Sequence, residues 1–378
     1  MNSLKELFLL DPTVTFLNHG SFGACPIPVF ETYQNWQREL ERQPVEFLGR
    51  RVDSLLAESR AKLGTFLNAD PENLIYVPNA TIGLNTVARS LDLQAGDEIL
   101  TTNHEYGALD YTWTFMCNKT GARYIHHEIS LPVTSHAEFI ESFWSGVTPR
   151  TKVIFMSHIT SPTALIFPVQ EICRRARAAG ILTVIDGAHA PGQIPLDMQA
   201  IGADFYSGNL HKWLCAPKGS AFLYVRRELQ HLVEPLVISW GWTEGASFVK
   251  QNEWQGTRDV SSFLSVPAAI EFQQAHQWDQ VRAECHLLAR EARAQIAELT
   301  GEEPATPDGN EWFEQMVFCP VSPCDIVTVK QRLYDEYRIE IPQVVWGDKI
   351  GVRASFQGYN SAEDLSRLLT GLKAVLYS

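Results

Sequence analysis

Between Pro28 and Asn68 apolar residues recur at the spacing of one helix face: Val29, Tyr33, Trp36 and Leu40, then Phe47, Val52, Leu55, Leu56, Leu63 and Phe66. This periodicity predicts two helices, separated at Pro44, whose ring nitrogen has no proton to donate. Beyond them the pattern changes. Short β-rich runs alternate with helical stretches: Asn73–Val77 then Thr81–Leu91, Glu98–Thr102 then Gly107–Lys119, Ala122–Glu128, Lys152–Met156, Val169–Ala179 and Ile181–Ile185. Runs as continuously apolar as KVIFMS and ILTVID suit strands buried on both faces, so the alternation predicts an α/β fold with a mostly parallel sheet covered by helices. Asp204–Tyr206 and Ser220–Val225 add two strands flanking an HKW segment.

From Ser262 to Leu299 the periodicity predicts one long or broken helix that leaves this large domain. After it come Trp312–Phe318, Asp325–Tyr337, Ile339–Ile341, Gly351–Ser355 and Ala362–Leu376, the pattern of a smaller α+β unit. The expected division is a large domain over 16–262 and a small C-terminal domain over 263–378, with 1–15 packing nearby. A chain of 378 residues has room for two such units. With no repeat, low-complexity tract or Gly/Ser linker, the two should pack tightly.

Composition narrows the function classes. Lys and Arg number 31 against 44 Asp and Glu, a net charge of −13, and no basic run forms a phosphate-tracking stripe. Nucleic acid is therefore not an expected partner. The N-terminal MNSLKELFLLDP is interrupted by Lys5, Glu6 and Asp11 and reads as no signal peptide, and no apolar run reaches the ~18 residues of a membrane span. A cytoplasmic location without membrane contact is the expectation. The seven cysteines are scattered and never form a CxxC pair, which argues against both a disulfide framework and a metal site.

Four polar segments carry candidate chemistry: VPNATIGLNTVARSL, VIDGAHAPG, YSGNLHKWLCAPKGS and GVRASFQGYN. The first three fall where strands end, and in an open α/β sheet such positions converge on one crevice. At Asn79-Ala80-Thr81 a strand gives way to a helix, so the segment is either a simple cap or an anion seat built from free N–H groups. Asp186 ends a buried strand and needs a cationic partner, an arginine or a protonated ring nitrogen. Lys212 sits in apolar company and is either a surface lysine or an amine whose pKa desolvation has lowered for imine formation. Arg353 offers a bidentate fork to an ordinary salt-bridge partner or to a substrate carboxylate. A phosphate seat, an acid for a ring nitrogen, an imine-forming lysine and a carboxylate clamp together make up the inventory of a pyridoxal 5'-phosphate (PLP) site.

The ordered blocks NHGSFG, NATIGLNT, NHEYGALD, DGAHAPG, GNLHKWLCAPKGSAFLY, GTRD and RASFQGYN, spanning Phe16 to Asn360, resemble the class V aminotransferase group of fold-type I PLP enzymes. Within it they are most similar to the isopenicillin N epimerase and C–S lyase branch. The resemblance implies that Lys212 binds the cofactor covalently, Asp186 pairs with its ring nitrogen and His189 lies near its ring hydroxyl. Ala80, Thr81, Asn209 and His211 would hold the phosphate, and Thr257 would reach the phosphate of a second copy in a homodimer. His104 is the expected ring-stacking residue, with Tyr106 as the alternative. Arg353 would grip the substrate carboxylate, with Asn18 and His19 lining the substrate side or simply forming a Gly-rich turn. Where desulfurases of the group place an Asn near the ring hydroxyl, this chain has His158-Ile159-Thr160-Ser161-Pro162, leaving that contact to Ser161 or Thr160. No cysteine lies between Ile339 and Arg353, where a persulfide-forming nucleophile is expected; Cys324 falls upstream and reads as a helix-start or core thiol.

The resemblance implies a reaction that starts at the α-carbon of an amino acid, foremost C–S lyase chemistry, β-elimination from cysteine, cystine or a cysteine S-oxide such as hercynylcysteine sulfoxide. Amino acid epimerisation is the alternative, transamination is less favoured, and a non-catalytic sensor or scaffold is the competing reading of another class. Keeping Lys212, Asp186 and Arg353 together speaks against the last.

Overall fold

The computed structural model describes residues 4–377; residues 1–3 and 378, the outermost parts of the expected terminal segments, lie outside the described residues. Two N-terminal helices, α1 (Ile27–Arg42) and α2 (Val52–Leu67), precede the main sheet. Its strands are β1 (Leu74–Val77), β2 (Glu98–Thr102), β3 (Arg123–His127), β4 (Thr151–Ser157), β5 (Leu182–Asp186), β6 (Phe205–Asn209) and β7 (Ala221–Val225). In space they run β1-β7-β6-β5-β4-β2-β3, with β7 antiparallel to both its neighbours and every other pairing parallel. Alternate residues of one strand enter different cores. In β4, Val153 and Phe155 join the cluster on one face, while Ile154 and Met156 join the cluster on the other. Burial on both faces is what makes these strands apolar throughout.

Helix α3 (Ala80–Ser90) follows β1, α4 (Gly107–Thr120) follows β2, α5 (His136–Trp144) precedes β4, and α6 (Val169–Ala179) leads into β5. Gly83 lets α3 lie directly on the sheet, since a Cβ there would come within 2.4 Å of Ser207 Oγ on β6.

The expected long helix after Ser262 is broken into Ser261–Leu264, α7 (Val266–Ala275) and α8 (Trp278–Thr300), with Gln277 at φ +50 turning the chain between the last two. Beyond it, β8 (Met316–Val321), β9 (Gln343–Trp346) and β10 (Lys349–Ser355) form an antiparallel sheet in the order β9-β10-β8, with α8 packed on β8, α9 (Ile326–Tyr337) near β9, and α10 (Ala362–Leu376) packed on α8 and α9. The N-terminal segment is tied to this part. Thr15–Phe16 pairs in parallel with Ile339–Glu340, the Leu4 amide donates to the Gly358 carbonyl, and the Phe8 ring meets Tyr359 edge-on at 4.9 Å between centroids.

Several elements depart from the sequence reading. Strand β6 continues through Ser207-Gly208-Asn209, because Ser207 Oγ donates to the Phe222 carbonyl and Asn209 pairs with Ala221, so polar residues complete the strand. Helix α5 and strand β9 were not among the predicted elements. All seven cysteines are unpaired thiols. Among the described residues no helix is long and apolar enough to cross a membrane.

Candidate active site

A cavity of about 390 Å³ opens at the carboxyl ends of β1, β4, β5 and β6, where Asn79-Ala80-Thr81, Ser157, Asp186 and Asn209 respectively face it. Lys212, His211, His189, Ser161 and Arg353 line it too. Parallel strands that end together deliver their terminal polar residues to one place, which explains the convergence of positions so far apart in sequence.

The anion seat is the first turn of α3. Asn79 caps the helix, its side-chain oxygen accepting from the Ile82 amide at 2.9 Å, and Asn209 Oδ1 accepts from the Ala80 amide at 2.8 Å. The Thr81 amide in the same turn has no acceptor among the described residues. Asn79 is thus a helix cap, and the turn also keeps a free N–H at the positive end of the helix dipole.

Asp186 is 3% exposed; one of its oxygens accepts from the Ala188 amide at 2.9 Å, and no cation lies within ion-pair distance among the described residues. Burial pushes its carboxyl up to about 6, against the smaller opposing pull of the Ala188 amide and the Lys212 charge. A buried carboxylate without a counter-ion seats a protonated ring nitrogen.

Lys212 lies in the loop between β6 and β7, half-buried, and lines the cavity. Desolvation, helped by the positive Arg353, lowers the amine to about 7, against the opposing pull of Asp186. Its Nζ lies 3.1 Å from His189 Nε2. The Trp213 indole N–H, which can only donate, meets His189 Nδ1 at 3.3 Å. The proton of neutral His189 is therefore on Nε2, and Lys212 receives it as a neutral amine. Burial and the Lys212 and Arg353 charges drive the His189 imidazolium form well below its usual pKa. His211 anchors its Nδ1 proton on the Ser220 carbonyl at 2.8 Å and, being largely buried, drops to about 4.

Arg353, on central strand β10, is 5% exposed and has no carboxylate partner among the described residues. Its Nη1 donates to the Ser161 carbonyl and hydroxyl, its Nη2 to Ser21 Oγ at 3.3 Å, and its buried Nε finds no acceptor. Burial lowers its pKa to about 10, which leaves it charged at neutral pH. A buried, charged fork held by neutral oxygens is built to receive a carboxylate from outside.

Several expected residues lie elsewhere. His104 is fully buried outside the cavity, bonded to Thr163 Oγ1 and the Ile129 carbonyl, each at 2.8 Å, and stacked on Trp346 at 4.2 Å. With both nitrogens and one face engaged it does not stack on a cofactor. Tyr106, two residues on and 45% exposed, lines the cavity instead. His19 and Asn18 are corrected likewise. His19 is buried with Nε2 on the Lys212 carbonyl at 3.0 Å and Nδ1 on Tyr359 Oη at 2.9 Å, while Asn18 donates to Glu340. Gly20, Ser21 and Phe22 are the members of that segment at the cavity. Gly23, at φ +70 with the His211 carbonyl only 2.0 Å from where a Cβ would stand, lets the segment cross the lysine loop. Of the two hydroxyls after His158, Ser161 lines the cavity, whereas Thr160 is buried against Thr163 and Leu165. Thr257 is exposed and does not line the cavity within one chain.

The residues present fit PLP: a free amide at a helix start, an uncompensated buried carboxyl, a neutral amine and an aromatic ring surround one cavity. Comparisons with known proteins agree. The chain is 34% identical to isopenicillin N epimerase of Streptomyces clavuligerus over 97% of this chain and 96% of that protein. It is 29% identical to a probable chloroplastic L-cysteine desulfhydrase of Arabidopsis thaliana over 97% and 84% of the two chains. A solved structure of a C-DES mutant with glycine covalently linked to its PLP cofactor superposes with TM-score 0.87 at 21% identity, covering 98% of each chain. The family model for class-V aminotransferases matches residues 27–368, and the chain belongs to this PLP-dependent family.

Proposed function

We propose that the chain is a PLP-dependent C–S lyase acting on a cysteine derivative. The observation that carries this reading is that Lys212, Asp186 and an unpaired Arg353 share one cavity. PLP, when bound, supplies an electron sink for charge that develops at the substrate α-carbon. Thr81, Ala80 and Asn209 would hold its phosphate, joined by His211 once the phosphate charge keeps its Nε2 protonated; His189 would donate from Nε2 to its ring oxygen, Tyr106 rather than His104 would supply the neighbouring aromatic, and Asp186 would keep its ring nitrogen protonated. Arg353, steadied by Ser161 and Ser21, fixes the substrate carboxylate and so aims the α C–H bond. The Lys212 amine, lowered to about 7 and so substantially uncharged at neutral pH, would take the proton from the α-carbon and deliver it to the departing sulfur. Cysteine, cystine and cysteine S-oxides, including hercynylcysteine sulfoxide, are the substrate candidates.

Epimerisation at the α-carbon is the second reading, favoured by the higher identity to the epimerase than to the desulfhydrase. Incubating the holoenzyme with cystine and with cysteine S-oxides separates the two. Release of pyruvate supports elimination. Exchange of the α-proton in heavy water with inversion and no pyruvate would overturn the lyase reading in favour of the epimerase.

The working form in this proposal is a cytoplasmic homodimer, with no nucleic acid or membrane partner. An exposed apolar run, Leu236, Val237, Ile238, Trp240 and Trp242, supports the dimer, since so much hydrophobic surface calls for a cover. Thr257 would then reach the second copy's phosphate.

A further inference from the structure

Arg353 is held at its Nη1 by a loop that belongs to the large sheet. The loop runs from Thr160 to Leu165 beyond β4, and the carbonyl and hydroxyl of its Ser161 both accept from Arg353 Nη1. Three bonds at Thr160 close it: the amide donates to the Leu165 carbonyl at 2.9 Å, the carbonyl accepts from the Ala164 amide at 3.0 Å, and the hydroxyl accepts from the Leu165 amide at 2.8 Å. Ala164 stands at φ +59, a left-handed conformation unfavourable to a residue with a Cβ, so the closing bonds keep the loop in a shape it would not hold alone.

His104 ends a chain of hydrogen bonds that begins in this loop. Burial brings His104 down to about 4, leaving a neutral ring with one proton. The Ile129 carbonyl, which can only accept, takes that proton from Nε2, so Nδ1 accepts from the Thr163 hydroxyl, each at 2.8 Å. Thr163 in turn accepts from the Thr160 hydroxyl at 2.8 Å, and Thr160 accepts from the Leu165 amide. Every donor and acceptor from Leu165 through Thr160, Thr163 and His104 to Ile129 is thereby fixed, and the three side chains are fully buried. The same imidazole stacks on Trp346 of β9, the strand paired with β10, which carries Arg353. His104 therefore touches both the loop that grips the guanidinium and the sheet from which it projects.

We propose that His104 is a positioning residue for the carboxylate clamp: through Thr163 and Thr160 it fixes the Ser161 loop, and so the direction in which Arg353 meets a substrate carboxylate. This rests on the reading of Arg353 as the clamp, and it gives a side chain outside the cavity a part in substrate selection. When the loop relaxes, the Ser161 oxygens no longer hold Nη1, and the cost falls on ligands that bear a carboxylate.

The test compares two ligands on the holoenzyme by calorimetry: α-aminoisobutyrate, and tert-butylamine, which has a methyl group in place of the carboxylate. Neither has an α-proton to lose, so binding is read without turnover. Thr163→Val keeps the shape of the side chain and breaks the chain in its middle, while His104→Phe removes its end. Each should weaken α-aminoisobutyrate about fivefold, the scale of one net hydrogen bond, and leave tert-butylamine unchanged. His104→Gln, with an oxygen for Thr163 and an amide N–H for Ile129, should restore most of the ratio between the two ligands. A ratio in folded Thr163→Val equal to the parent's, or an equal loss for both ligands, would overturn the positioning role. Arg353→Ala should lower the ratio about a hundredfold. If the ratio survived that change the clamp itself would fall; a ratio lost with Arg353 but kept in Thr163→Val condemns only the part given to His104.

Discussion

At the scale of single residues the site is defined by two ionisable groups moved toward each other from opposite ends of the scale, Lys212 down to about 7 and Asp186 up to about 6. Only a neutral amine attacks a carbonyl, so the rate at which the cofactor-free chain captures PLP should rise with pH through about 7 and level off above it. Stopped-flow absorbance across that range checks this, and a flat profile would contradict the lowered amine. For Asp186 the sign runs the other way from an ordinary paired carboxylate. Its folded-state pKa is raised, so the folded chain holds the proton more tightly than the unfolded one, and stability falls as pH rises from the ordinary carboxylate value through about 6. Asp186→Asn removes that penalty. The cofactor-free variant should be more stable than the parent at alkaline pH, by ~3 kcal/mol in denaturant titration, while turnover is lost. Lys212, Asp186 and Asn209 were legible because each falls at or just after a strand end, where convergence is dictated by topology. His104, Asn18 and His19 were misplaced because a motif shows which segment reaches the cavity and not which of its side chains turns inward. The residue two or three positions on, Tyr106 or Ser21, is the one at the wall.

At the scale of elements, function depends on how closely α3 lies on the sheet and how firmly β9 is held. Gly83→Ala would drive a methyl group toward Ser207 on β6 and lift the helix start that carries the Thr81 amide. It should cost about 1–3 kcal/mol in stability and weaken PLP binding, as thermal unfolding and cofactor titration would show. Trp346→Ala removes both the stacking on His104 and the bond to the Asn103 carbonyl. It should cost about 2–3 kcal/mol in stability, which denaturant titration would show. The strand–helix alternation of the large domain was readable because burial on both faces imprints continuous apolar runs. Helix α5 carried a readable start, Ser135 accepting from the Glu138 amide three residues on, in the S-x-x-E spacing of a helix cap. Strand β9 was hidden for a different reason: an edge strand of four half-exposed residues, QVVW, has too short a pattern to separate from a loop, and the Gly347-Asp348 turn after it was its main sign.

At the scale of the whole molecule, two sheets of different character are joined by a buried polar contact. His19 bonds both the carbonyl of Lys212, in the large-sheet loop, and the hydroxyl of Tyr359, which follows β10 of the small sheet. Lys212 and Arg353, on loop and strand of different sheets, are thus held in one continuous structure. Assembly is the next level. Trp240, 86% exposed, belongs to the apolar run assigned to a dimer interface, and Trp240→Asp should shift the sedimenting species from dimer toward monomer. A chain that sediments as a monomer without the substitution would contradict that assignment. The account as a whole stands on the covalent capture of PLP by one amine. Borohydride reduction of the holoenzyme followed by peptide mass mapping tests it most directly. The account predicts a pyridoxyl phosphate adduct on the peptide bearing Lys212 and on no other; an adduct at another lysine, or none in a PLP-saturated protein, would contradict it.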